Sequence, residues 1–401
     1  MRIPHPEGTF HLTYCTNVHP GERLGELERV LEGPVRAVKA RVAPDRPMGL
    51  GLWLPAAALS LLQQGERLAA LRDRLEEGGF YLFTVNGFPY GRFHGTRVKE
   101  AVYQPDWRRA ARAAYTRALA DLLAGLIPED LPFASLSTVP GSSRQLAEDP
   151  ASRAQIVAHL MEVAAHLHQL HEERGRTIVL ALEPEPGCLL QSSEDTLRFF
   201  REHLWTAEGL RPLCDRLGVS LSRAEDIARR HLGLCFDVCH FAVAFEDPAS
   251  ALATLAEAGI RIAKLQLSCA LRVAPAGEEG RAAVKRFDDG IYLHQTTIRS
   301  RDGSLHRFLD LPAALAAELV EAEEWRVHVH LPIYAADLEP PLASTQPQLA
   351  AAVRRARRLD PPPHFEVETY NFAVLPEELR ALPLEEALAR ELAFARELLS
   401  S

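Results

Sequence analysis

Asp237 and His240 stand three residues apart at the end of the stretch LGLCFDVCHF, residues 232–241. The run before them is mostly apolar, and an apolar run bounded by polar residues reads as a buried strand. A carboxylate at its end, with an imidazole one turn further on, supplies oxygen and nitrogen donors that can meet one ion at about 2.0–2.2 Å. The same pair is equally consistent with an aspartate capping a helix and an incidental histidine. Comparable residues stand elsewhere. Glu183 follows TIVLAL, Glu368 lies in HFEVET, and His328 and His330 alternate in RVHVH. Whether these converge depends on the elements that carry them.

Strand candidates fall at 11–17, 49–54, 80–86, 133–138, 177–182, 232–237, 260–268 and 364–369, separated by stretches with helical spacing. The clearest helices are expected at 55–77, 107–126, 151–173, 193–203 and 222–230, with the last at 376–399. Most of the strands are continuously apolar, which marks burial on both faces and hence a parallel sheet with helical crossovers. Eight such units predict a (β/α)8 TIM barrel, α/β in class, spanning 1–401 as a single domain. An open doubly wound sheet is the runner-up, but no GxGxxG or P-loop follows the first strand.

After the seventh strand the rhythm breaks. Residues 270–335 form an expected insertion over the barrel mouth, with a hairpin around Asp302-Gly303 and an extra strand at 326–330. The helix at 107–126 carries Arg108, Arg109, Arg112 and Arg117, a pattern that ordinarily means a solvated face. His159, His166, His168 and His171 on the helix at 151–173 form no HExxH motif and are expected to pack or face water.

Composition narrows the function. Of 401 residues, 47% are hydrophobic and 25% charged, the balance of a soluble globular protein. A net charge of −9 disfavours nucleic acid as the main partner. The six cysteines form no CxxC pair and sit mostly in apolar runs, as in a reduced cytoplasmic protein. The opening MRIPHPEGTFHL lacks a signal-peptide apolar region, and no run approaches the roughly 18 apolar residues of a membrane span.

In a TIM barrel the active site lies at the C-terminal ends of the strands. Those ends are Asn17, Asn86, Ser137 with Thr138, Glu183, Asp237, Gln266 with Ser268, and Glu368 with Thr369. Only the second strand ends without a polar group. Three carboxylates and several histidines at one mouth repel or resist desolvation unless a cation compensates, which points to a divalent metal. A polar mouth without metal is the alternative. Mixed oxygen and nitrogen donors suit Zn, Mn or Fe alike.

LALEPEPG, GLCFDVCHF, KLQLS, the VHVH pair and the closing VET together resemble the xylose-isomerase-like TIM-barrel superfamily. That superfamily includes sugar isomerases and epimerases and the apurinic endonucleases of the endonuclease IV class. The resemblance implies metal ligands at Glu183, Asp237 with His240, and Glu368. His330 belongs to an H-x-H pair similar to a D-x-H pair of the endonucleases, with His328 in the acid's place. Gln266 stands where those enzymes carry a metal-binding histidine. The opening HLTYCTNVHPGE, with YLHQT in the insertion, is similar to the metabolite-traffic EboE family, a bacterial branch of this superfamily.

Three functions follow. One is a metal-dependent isomerase or epimerase acting on a small polyhydroxylated metabolite. In it Glu183 and Glu368 would exchange protons with substrate, the metal being held by Glu183, Asp237, His240, Gln266, His330 and Glu368. Asn17, His19, Asn86, Thr138, His294 and Arg299 are its candidate substrate contacts, the last two with His306 closing the mouth. The second is a metabolite carrier of the same fold that performs no chemistry. The third is an endonuclease-IV-like phosphodiesterase, favoured by the D-x-C-H turn and opposed by the acidic charge.

Overall fold

The computed structural model describes residues 1–6, 8–317, 322–336 and 338–401. Eight parallel strands build a barrel: Gly8–Tyr14, Met48–Trp53, Phe80–Asn86, Ala134–Thr138, Ile178–Leu182, Leu232–Asp237, Ile262–Leu267 and His364–Val367. Hydrogen bonds run from the first strand to the eighth, then back through the seventh, sixth, fifth, fourth and third to the second. Every one of these pairings is parallel. The first and second strands meet at a single parallel bridge, Cys15 to Gly51, beside which the Thr13 hydroxyl donates to the Gly49 carbonyl at 2.8 Å. The fold is the α/β TIM barrel expected from the sequence.

Strands such as Ile178–Leu182 and Leu232–Asp237 are buried at every residue. Helices cover their outer face and side chains fill the barrel. Part of that filling is ionic: Lys264 and Glu366, both wholly buried, face each other as a charge pair inside the barrel. Space there is short. A Cβ on Gly51 would lie 1.9 Å from Glu366 Oε1 and 2.7 Å from the Tyr14 carbonyl oxygen, so this strand position accepts only glycine.

The helices form where local signals agree. Pro150–Arg174 opens on Asp149, whose side chain accepts from the Ser152 amide at 2.8 Å, and closes on Gly175 at φ 64°. The helix expected over 55–77 is two helices, Ala56–Leu62 and Arg67–Glu77, because Gly65 turns the chain at φ 60°. Ala207–Leu217 is a further helix that Pro212 hides in the sequence pattern. Arg112 departs from the solvated face expected of its helix. It is fully buried, its guanidinium donating to the carbonyls of Pro105 and Gly87 at 2.7 Å each.

After the seventh strand the chain builds a second, antiparallel sheet. Its strands lie in the order Leu305–Phe308, Thr296–Ser300, Ala322–Leu331, Cys269–Val273 and Leu342–Ser344. The hairpin turns at Gly303, φ 84°. Cys269–Val273 leaves the seventh barrel strand after one residue, Ser268, and this continuity was hidden by the polar break read at that point. The ladder between Ala322–Leu331 and Cys269–Val273 loses register between Val327 and Leu331, the stretch carrying His328 and His330. Such irregularities re-aim side chains. Among the described residues no helix is long and apolar enough to cross a membrane.

Candidate metal centre

The sixth barrel strand ends on Asp237, and the helix Val238–Val243 starts there. Its carboxylate divides two tasks between two oxygens. Oδ1 accepts from the His240 amide at 3.1 Å, capping the helix, and from the Ser268 hydroxyl at 2.7 Å. Oδ2 is buried, has no hydrogen-bond partner among the described residues, and lies 3.9 Å from both His240 Nε2 and His330 Nε2. Helix cap and candidate ligand are thus the same residue.

Three imidazoles face this oxygen's side of the mouth. His240 Nδ1 is 2.8 Å from the Pro184 carbonyl, and His330 Nδ1 is 2.7 Å from the Glu368 carbonyl. His328 Nδ1 is 2.6 Å from Gln295 Oε1. The Gln295 amide is oriented by its NH2, which donates to Glu185 Oε1 at 2.7 Å and to the Pro186 carbonyl at 3.3 Å. Each Nδ1 therefore meets an acceptor and must carry the proton, leaving each Nε2 with a bare lone pair. Those lone pairs point at one another: His328 Nε2 is 3.2 Å from His240 Nε2 and 3.0 Å from His330 Nε2. Burial lowers the basicity of His330 to about 4, and that of His328 well below the usual imidazole range, helped by the neighbouring rings.

Carboxylates complete the floor. Oxygens of Glu183, Asp237 and Glu368 lie within 4.8 Å of one another, as do donor atoms of Asp237, His240 and His330, and of Glu185, His240 and His328. Glu368 Oε1 accepts from Asn17 Nδ2 at 2.8 Å and Asn86 Nδ2 at 3.3 Å. Among the described residues Glu183 Oε2 has no hydrogen-bond partner. Burial, then the charge of Asp237, raises Glu368 to about 8. Burial, then Glu368 and Asp237, holds Glu183 well above the carboxylate range. Burial raises Glu185 as well, with Tyr103 and Gln295 donating to it in partial relief.

These residues fit a divalent cation. The test is the set of buried atoms without a hydrogen-bond partner among the described residues, Glu183 Oε2, Glu185 Oε2 and Asp237 Oδ2, beside the three Nε2 atoms that face one another. Acceptors without donors at this density are costly in a buried site, and a cation is the partner that satisfies all of them. The outer partners of the imidazoles are those a metal-ligating histidine uses to fix its tautomer.

Not every residue singled out in the sequence meets here. Asn17 lines the cavity with Glu183, His240, His330 and Glu368. Asn86 sits one hydrogen bond behind it. Gln266 is buried, registered against Asp237 on one side and Glu366 on the other, and neither end of its amide has a hydrogen-bond partner among the described residues. His19 bonds the Tyr14 hydroxyl at 3.0 Å, and Thr138 accepts from Trp107 Nε1 at 3.2 Å. His294 braces the strand behind His328, donating to its carbonyl at 2.8 Å and pairing with Asp289. Arg299 pairs with Glu323 and Glu324 on the second sheet, and His306 lies on that sheet's outer hairpin. None of His19, Thr138, His294, Arg299 and His306 lines the cavity.

Glu185, Tyr292 and Tyr370, which sequence reasoning passed over, do line it, and His328, read in the sequence only as the other half of the H-x-H pair, is a full member of the imidazole set. Glu185 carried a signal, the EPE spacing, but lies beyond the strand and could not be assigned to the mouth by alternation.

No family model and no curated protein matches this chain. Solved structures do. A xylose isomerase-like TIM barrel protein from Mycobacterium smegmatis, in complex with magnesium, matches 98% of this chain and 97% of its own at 11% identity, with a TM-score of 0.51. A D-tagatose 3-epimerase-like protein matches 98% of this chain and 100% of its own at 12% identity, TM-score 0.47. The probable 3-DHS dehydratase AsbF of Bacillus anthracis matches 96% and 98% at 12% identity, TM-score 0.45. The first of these likenesses carries the fold assignment.

Proposed function

We propose that this chain is a metal-dependent enzyme of the sugar-isomerase or epimerase type, acting on a small polyhydroxylated metabolite. The observation that carries the reading is the convergence of three bare Nε2 atoms beside the carboxylates of Glu183, Asp237 and Glu368. Asp237, His240 and His330 would hold the ion with Glu183 and Glu368, His328 joining from the second sheet and Gln266 lying within the same wall. Zn, Mn or Fe each suit such a mixed set. A bound divalent ion supplies Lewis acidity, acidifying a proton next to the substrate oxygens it polarises.

The side chains do the rest. Glu183, with one oxygen free of hydrogen-bond partners among the described residues, is placed to take and return a proton, and burial with the charges of Glu368 and Asp237 raises its affinity for one. Glu368 is held in one orientation by Asn17 and Asn86, which makes it the fixed partner of the pair. Space at the centre is about 50 Å³, room for a few water-sized groups, which favours a small molecule over a flipped nucleotide.

The opening motif supports placement in the metabolite-traffic EboE branch, because its residues build the mouth. Asn17 reaches Glu368, and its carbonyl takes a hydrogen bond from His94 Nε2 at 2.8 Å. Glu22 accepts from the amides of Phe93 and His94 at 3.2 and 2.7 Å. The cavity also suits a carrier that holds a metabolite unchanged. Solvent exchange separates the two. Metal-loaded protein incubated in D2O with ketoses, aldoses and cyclitol ketones is expected to place deuterium beside the carbonyl of at least one of them. No exchange with any of them, and a co-purified ligand recovered unaltered, overturns the enzyme in favour of the carrier.

A further inference from the structure

The roof over the candidate metal centre is made of two pieces from distant parts of the chain. One is the segment 88–103, which follows the third barrel strand, and the other is the turn 289–293 of the insertion. Val98 from the first and Tyr292 and Leu293 from the second line the same cavity. We infer that the turn 289–293 is a lid in its closed position, and that the ion pair of Lys99 with Asp310 is the latch that holds it down.

A ligand needs such a movement. Glu183, Asp237, His240, His328, His330 and Glu368 are each 6% exposed or less. The space between them and the roof is about 50 Å³, which an ion and the few oxygens it carries would fill. Sites that take a small molecule whole are ordinarily on the order of 300 Å³ or more. A carbon skeleton therefore comes in when the roof rises. That step rests on the function proposed above, whereas the lid and latch rest on the contacts around the seam.

Each piece is anchored on its own side. Glu22 accepts from the Phe93 and His94 amides, Trp53 Nε1 donates to the Pro89 carbonyl at 2.9 Å, and the Tyr103 hydroxyl donates to Glu185 at 2.8 Å. The segment 88–103 is thus tied to the barrel. The turn is tied to itself. Asp289 Oδ1 accepts from the Ile291 and Tyr292 amides at 2.7 and 2.9 Å, and Oδ2 lies 2.8 Å from His294 Nε2. His294 in turn is fixed to the His328 carbonyl at 2.8 Å. The tip can therefore swing about His294 with its own frame intact.

Contacts across the seam are of a kind that parts and re-forms. The Ile291 carbonyl accepts from the Val98 and Lys99 amides at 3.0 and 3.3 Å. Phe93 and Tyr292 meet at a ring separation of 5.0 Å, in a small apolar cluster distinct from the main core. Lys99 Nζ lies 2.6 Å from Asp310 Oδ2, with the two side chains 8% and 20% exposed. At that depth desolvation offsets much of the attraction, so the pair separates readily once water reaches it. Asp310 Oδ1 accepts from the amides of His294 and Leu311 at 3.0 Å each, so the latch grips the base of the lid. Lys99 itself sits at φ 40°, in the left-handed region that lysine rarely adopts. The pair and the Ile291 carbonyl hold it there, and opening releases it.

Amide-resolved hydrogen exchange and carbethoxylation of histidines by diethylpyrocarbonate, both on the full metal-free chain, test the lid. Lys99→Met removes the latch from one side. Asp310→Asn weakens it from the other and keeps the helix cap. Each should speed exchange at the Val98 and Lys99 amides about tenfold, with Ile291, Tyr292 and the strand Phe80–Asn86 unchanged. Each should also speed modification of His240, His328 and His330 about tenfold, with His306 on the outer hairpin as the unchanged reference. Lys99→Arg, which keeps the charge, should stay near wild type. Seam amides or floor histidines that respond to neither variant overturn the lid. An equal rise at Ile291, Tyr292 and Phe80–Asn86 also overturns it, because the chain is then loosening as a whole. Metal retention by the wild type keeps the two proposals apart. A chain that opens at the latch but retains no metal loses only the centre, and one that retains metal with an indifferent seam loses only the lid.

Discussion

His328 Nε2 and His330 Nε2 lie 3.0 Å apart, on rings whose Nδ1 atoms are already bound to the Gln295 side chain and the Glu368 carbonyl. Two lone pairs at this separation repel unless something positive lies between or beside them. Burial lowers the proton affinity of both rings, which supports the metal ion proposed above as the positive partner. Gln295 is then a positioning residue: it fixes the His328 tautomer while itself fixed by Glu185. Gln295→Leu should weaken metal binding by about 10- to 100-fold, measured by competition with a coloured chelator. An unchanged affinity would show that His328 does not need its amide partner.

Acidity of the floor makes metal binding depend on pH. Glu368 has its proton affinity raised to about 8, first by burial and then by Asp237, so near neutrality the metal-free protein keeps it protonated. An incoming ion must displace that proton. Affinity should therefore climb about tenfold per pH unit from about pH 6 to 8 and level off above. Stability of the metal-free protein runs the other way. A folded-state value above the ordinary 4.5 means that the Glu368 contribution is complete below about pH 4.5 and lost as pH rises through about 8. His330, lowered to about 4, contributes above its ordinary 6.5 and loses that contribution as pH falls through about 4. Chelator competition from pH 6 to 9 reads the first effect, and Glu368→Gln should flatten it by about one proton. A flat wild-type profile contradicts the assignment.

Inside the barrel, Lys264 and Glu366 stand or fall together. Lys264→Met strands a fully buried carboxylate and should cost about 3–5 kcal/mol in urea unfolding of the metal-free protein. The double variant Lys264→Met, Glu366→Leu should recover most of that loss, because an apolar pair of similar volume avoids desolvation. A double variant as unstable as the single one would show that the pair's charge does more than balance itself.

Gly51 marks where the barrel has no slack. A methyl group there meets the Glu366 carboxylate and the Tyr14 carbonyl inside contact distance, and strand backbone cannot retreat without breaking the closing bridge to Cys15. Gly51→Ala should cost about 3 kcal/mol in the same unfolding experiment. A loss below about 0.5 kcal/mol would mean that the first and second strands are not held as closely as described.

Much of this architecture was legible in the sequence because parallel strands buried on both faces write themselves as apolar runs. All eight were found, although the first lies nearer the N-terminus, leaving Asn17 on the turn Thr16–Val18 instead of a strand end. Residues at strand ends were placed well for the same reason: Glu183, Asp237 and Glu368 do meet at one mouth. What a strand-end rule cannot see is side-chain direction in loops. His19, Thr138, His294 and Arg299 are polar and near the mouth in sequence, yet each finds a partner outside the cavity. Conversely the cavity-lining residues Phe93, Val98 and Tyr292 sit on irregular chain whose path depends on tertiary contacts, and no periodicity announces them.

The central claim is that the mouth holds a divalent metal, and elemental analysis of protein loaded with Zn, Mn or Fe and then desalted tests it most directly. Wild type is expected to retain at least one ion per chain. Asp237→Asn preserves the helix cap, since asparagine caps as well as aspartate, while removing the charge on the oxygen that faces His240 and His330. It should therefore stay folded and lose the metal, as should Glu183→Ala. Wild type free of all three metals, or equal metal content in wild type and both variants, contradicts the account.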